Sequence, residues 1–157
     1  MITTAATLYN WLLVLHILAA MVWVGGAVML GAQATRVVRA GDHDEVARFL
    51  GSLRVIGPIV LAPATVIVLG LGIWMVLNSA AWDFKQEWVQ IALSLFAGAF
   101  LIGAAHQSRA AIQAERASQR GDHAEALRQL TRWSVGYWTI LLLLVVAVWD
   151  MVMKPGL

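Results

Sequence analysis

Cysteine is missing from the 157-residue chain, and that single absence excludes disulfides, thiolate metal sites and a cysteine nucleophile. Charge is scarce: Asp, Glu, Lys and Arg make up 13% of the residues, against about a quarter in soluble domains. No Gly-rich phosphate loop, HExxH pair, Ser/His/Asp arrangement or pair of intramembrane carboxylates can be found, which removes the usual signatures of NTPases and hydrolases and weakens a proton-coupled transporter reading. Nor is there a purely basic tract; acidic residues are mixed among the arginines, so nucleic acid is not a partner.

What is present is apolar length. Hydrophobic residues make up 61% of the chain, and four runs, about Leu8 to Gly31, Val55 to Leu77, Trp88 to Ala105 and Val135 to Val152, are each long enough to cross the membrane. The third is the shortest and richest in alanine, so its limits are the least sharply drawn. The chain therefore reads as one polytopic, all-α, four-span domain over residues 1–157. Its first run has neither a positive n-region nor a small-residue cleavage site and is read as a retained span. Arg36, Arg39, Arg48 and Arg54 lie between spans one and two, and Arg109, Arg116, Arg120, Arg128 and Arg132 between spans three and four. The other two connections carry only Lys85 and Lys154. The positive-inside rule then predicts cytoplasmic arginine loops, with both termini on the non-cytoplasmic side of a bacterial-type cytoplasmic membrane.

The helices are expected to outrun the bilayer. Span one should continue through Gln33, Arg36 and Arg39 to Gly41, where Asp42 can cap a second helix and Glu45 complete a capping box. Pro58 and Pro63 should kink that helix or loosen its hydrogen bonding. Helix three carries Ser94, Gly98, Ala99 and Gly103, a small-residue pattern that admits a neighbouring backbone, and runs past His106 to Gly121. The ten residues from Gly41, GDHDEVARFL, are answered eighty positions later by GDHAEALRQL from Gly121. Two hairpins in the same orientation, by duplication or by shared capping physics, make a 2+2 antiparallel four-helix bundle.

The candidate chemistry lies in Leu15 to Gly26, LHILAAMVWVGG. His16 and Trp23 are seven residues apart, close to two turns, and share a helix face. Counted inward from the aromatic belt at Tyr9 and Trp11, His16 is about 10 Å deep and Trp23 about 20 Å deep. A ligand-competent group inside hydrocarbon is costly and is read first as functional. Imidazole can bind haem iron, copper or zinc, with Trp23 and the glycines, Gly26 among them, as wall and clearance for a ring; the plainer alternative is a histidine bonded to a neighbouring helix's carbonyl. His106 is the other metal-ligand candidate near the membrane, but it should lie about 16 Å deeper than His16, too far to share one iron. A sixth ligand would come from a methionine such as Met75, from water or from another subunit. His43 and His123 are expected as exposed turn residues, with a cytoplasmic metal or proton site as the weaker alternative, and Asp150 at the interface near the outer end of span four.

Leu15-His16, Trp23 to Gly26, the arginine-bearing exit, the Gly41-Asp42 turn and the proline-bearing second span together resemble the small four-helix predicted integral membrane proteins of unknown function. More distantly, the chain is similar to HemJ-type protoporphyrinogen oxidases and CopD-type copper-resistance membrane domains. The resemblance implies haem or copper at His16 without choosing between them, and the second half has Phe96 where a repeated histidine would fall. The expected function is binding of b-type haem or porphyrin, with a role in redox chemistry or electron transfer. The alternatives are a non-catalytic subunit of a larger membrane complex or homo-oligomer, and a copper-handling protein.

Overall fold

The computed structural model describes residues 2–156, with side chains described from residue 7. Four helical rods, Thr7–Ala40, His43–Leu77, Glu87–Gln119 and His123–Met153, are each long and apolar enough to cross a membrane. The first is a single helix, α1 (Ile2–Ala40), whose 39 residues make it about 58 Å long, nearly twice the hydrocarbon thickness. The second is α2 (His43–Ile56), a π-helical segment over Gly57–Leu61, and α3 (Ala62–Leu77). The third repeats that plan with α4 (Glu87–Leu101), a second π segment over Ile102–Gln107, and α5 (Ser108–Gln119). The fourth is α6 (His123–Met153).

The first π segment and both Gly-Asp turns have local causes. Pro58 has no N–H and crowds the carbonyl four residues earlier, so the second rod widens there and the Ala62 N–H bonds to the Gly57 carbonyl. The rod loosens without ending. At the arginine-bearing end, Gly41 and Gly121 take φ of 65° and 75°, the left-handed conformation that closes a helix. Asp42 and Asp122 then cap the next helices, accepting from the N–H groups of Glu45 and Glu125 at 2.9 and 3.1 Å.

Packing is uneven around the bundle. α1 and α6 form its centre: Thr35 Oγ1 lies 3.3 Å from Ser134 Oγ and accepts from Trp138 Nε1 at 3.1 Å. Gly31 lets the two helices approach, since a Cβ there would meet the Trp138 and Tyr137 rings at 3.5 and 3.6 Å. α3 packs against α1, and α4 with the π segment that follows it packs against α6, where Gly98 and Gly103 face Leu143 and Ile140. α2 and α5 also meet, but α3 and α4 do not. The bundle is therefore closed at its arginine end and split along one side between the second and third spans.

A cleft between the second and third spans

The split contains two cavities, with α1 and α6 as their floor. The one nearer the α3–α4 loop has a volume of about 90 Å³ and is lined by His16, Gly72, Met75, Phe96 and Met151, among others. The loop covers it: Trp82 and Phe84 reach over the opening, and Trp82 Nε1 donates to the Tyr9 hydroxyl at 2.9 Å. Lys154, the left-handed residue that ends α6, places its ammonium 4.3 Å from the Trp82 ring centre. These contacts join both chain ends to the loop.

His16 is 7% exposed, and its Nδ1 has no hydrogen-bond partner among the described residues. Its polar contact is with the backbone of Val68 on α3. Gly72 makes room for the ring, because a Cβ there would stand 3.3 Å from Cε1 and 3.7 Å from Nδ1. The glycine that clears space for the imidazole is thus on the second span, whereas Gly26 lies against Leu61, 3.0 Å from where its Cβ would be.

The second cavity lies toward the arginine end and is larger, about 500 Å³. Both π segments contribute to its walls, through Gly57, Pro58 and Leu61 on one side and Gly103, Ala104 and Gln107 on the other. A widened helical turn exposes backbone and shifts side chains, and such turns often occur at binding sites. Trp23, Trp133 and Tyr137 are aromatic surfaces of this cavity, and the last two stack with ring centres 4.4 Å apart. The rim residues Val66 and Phe100 are 68% and 53% exposed, so the cavity opens sideways to lipid. Gln107, 6% exposed, donates through Nε2 to the Trp133 carbonyl at 2.9 Å, while its Oε1 has no partner. Tyr137, 8% exposed, lines the same cavity. Among the described residues, no charged side chain lines the cavity.

The candidate residues are thereby distributed. His16 and Met75 share the smaller chamber; Trp23 belongs to the larger cavity, and its ring lies 5.5 Å from that of Phe96, which faces the smaller one. The Trp23–Phe96 pair is the partition between them. His106 lies elsewhere, in a shallow pocket with Arg109, Gln129 and Arg132, its ring against Gly136. Among the described residues, no group of three or more His, Cys, Asp or Glu side chains gathers in metal-binding geometry.

Asp150, near the end of α6, is 1% exposed, with neither carboxyl oxygen hydrogen-bonded among the described residues. It lies on the face of α6 that packs into the bundle. A signal for this was present, since Asp150 extends the buried stripe of Tyr137, Ile140, Leu144 and Ala147. Gln107 likewise continues into Ala110, Ala114 and Ala117. Gly72 and Met151 carried no comparable mark.

An all-helical bundle of four long apolar rods, with its arginines gathered at one end, defines a multi-pass integral membrane protein. The chain belongs to the DUF2269 family of predicted integral membrane proteins, whose sequence profile matches residues 10–155. No curated protein and no solved structure matches the chain.

Proposed function

We propose that this membrane protein takes a neutral, ring-headed lipid of the quinone class from the bilayer into the larger cavity of the cleft. The observation that carries the reading is the buried, unpartnered Oε1 of Gln107 on an apolar cavity that opens to lipid and that Tyr137 also lines. Inside hydrocarbon such a group has no water to satisfy it, and it costs about 1–3 kcal/mol unless a ligand pairs with it. A quinone carbonyl accepts from the tyrosine O–H, and a quinol O–H donates to the glutamine oxygen. The aromatic floor suits a flat ring, and the rim lets an isoprenoid tail remain in the membrane. A cavity of about 500 Å³ is of ligand size, since such pockets run from about 300 to 1,000 Å³. Without a charged lining residue, the cavity does not suit a phospholipid headgroup or the carboxylates of a porphyrin.

Binding of a short-chain benzoquinone to the protein in lipid nanodiscs tests this. A photoreactive analogue should cross-link to α3 and α4, and Gln107→Leu and Tyr137→Phe should each weaken binding about tenfold. Labelling outside the cleft, or affinity unchanged in both variants, would overturn the reading.

A second reading rests on the unpartnered Nδ1 of His16. Its chamber of about 90 Å³ is too small for a haem, and the Trp23–Phe96 partition separates it from the larger space. A single ion is another matter. Met75 and Met151 line the same chamber, and an imidazole with two thioethers is a donor set for monovalent copper. Purified protein should then show no Soret absorbance when haem is supplied, and should retain copper(I) in a manner abolished by His16→Ala. A reducible haem spectrum that His16→Ala removes would restore the haem reading instead.

A further inference from the structure

At the arginine-bearing end, the two copies of the Gly-Asp-His turn meet. Nδ1 of His43 lies 3.4 Å from Nδ1 of His123, with ring centres 5.3 Å apart and the planes at 66°. A residue that meets its own counterpart marks the axis relating two repeats. We propose that His43 and His123 bind a divalent transition-metal ion of the zinc class, which clasps the two hairpin turns together.

The tautomer favours it. His123 Nε2 is 2.8 Å from the Gly41 carbonyl, and facing a carbonyl it must carry the proton and donate it. Its Nδ1 therefore keeps a lone pair, directed at His43. Histidines that ligate metals are held in this way, with the remote N–H donated to a carbonyl that fixes the ring. Without an ion, a proton on His43 Nδ1 fills the gap as an N–H···N bond. With one, His43 carries its proton on Nε2 instead, and both lone pairs point at the metal.

The spacing is also suitable. At a zinc–nitrogen distance of 2.0–2.1 Å, two ligands of a tetrahedral ion stand about 3.4 Å apart, as these nitrogens do. The backbones are pinned, because each histidine follows an aspartate that caps its helix. The positive ends of α2 and α6 disfavour a cation here, and the carboxylates of Asp42, Asp44, Glu45, Asp122 and Glu125 around the turns oppose that field. No third His, Cys, Asp or Glu joins the pair among the described residues, which leaves the other coordination positions to water.

The test uses the untagged full-length chain in nanodiscs, titrated with Zn²⁺ against a chromophoric chelator. One ion should bind per chain, His43→Gln and His123→Gln should each weaken binding at least about tenfold, and His106→Gln should leave it unchanged. Substituting Cu²⁺ should give an electron paramagnetic resonance spectrum with splitting from two nitrogens. Far-UV circular dichroism establishes that each variant is folded, and because the capping aspartates are intact, loss of binding with unchanged helicity reports the ligand. No binding by the parent chain, or equal affinity in parent and both variants, would overturn the proposal.

Discussion

At the scale of single residues, glycines and histidines act in pairs. Gly136 lies against the His106 ring so closely that a Cβ would fall 2.8 Å from Nδ1. Gly136→Ala must therefore displace the ring and is expected to cost about 1–3 kcal/mol, read as a lower midpoint of thermal unfolding in detergent. Removing the ring removes the clash, so Gly136→Ala combined with His106→Ala should destabilise less than the sum of the two single changes. Gly25 is the contrasting case, with nothing within 4 Å of its would-be Cβ. Gly25→Ala should be neutral or stabilising by up to about 1 kcal/mol through helix propensity. For Asp150, whose carboxyl oxygens have no partner among the described residues, the expected result of Asp150→Asn is an unfolding midpoint no lower than that of the parent.

At the scale of elements, two devices shape the rods. The capping aspartates start α2 and α6. Asp42→Ala and Asp122→Ala are each expected to cost about 0.5–2 kcal/mol, with faster amide exchange confined to the first turn of the helix that follows. The π segments act in the middle of the second and third rods, on the walls of the larger cavity. For the first of them the cause is in the chain, since Pro58 cannot donate and a proline-bearing span can be recognised from its letters alone. The second has no proline, only the run Ile102-Gly103-Ala104-Ala105, and sequence periodicity does not distinguish such a stretch from ordinary helix. Half of the cavity's architecture was therefore legible in advance, and half was not.

At the scale of the whole molecule, the two inter-hairpin seams differ. α1 meets α6 closely, while α3 and α4, which would pair in the same way under the repeat, stand apart. Because the chain has no native cysteine, engineered pairs can report on this directly. Thr35→Cys with Ser134→Cys should form a disulfide under mild oxidation, since the two hydroxyl oxygens are already 3.3 Å apart. Val66→Cys with Phe100→Cys, on opposite sides of the cleft, should not, because a disulfide needs Cα atoms within about 6.8 Å and no α3–α4 pair comes that close. Rapid cross-linking of the second pair would mean that the cleft closes in the membrane.

The sequence by itself determined the four helical rods, their length in excess of a bilayer's hydrocarbon core and the Gly-Asp turns, because these follow from apolar length, helical period and capping, all local properties of the chain. Tertiary structure decided the rest. Whether His16 faces space or a neighbour depends on Gly72, fifty-six residues away, and the separation of His16 from the cavity of Trp23 depends on Phe96. The encounter of His43 with His123 and the open seam between α3 and α4 depend on how two hairpins dock. Docking is set by side-chain shape summed over whole helix faces, and no window of sequence contains that sum.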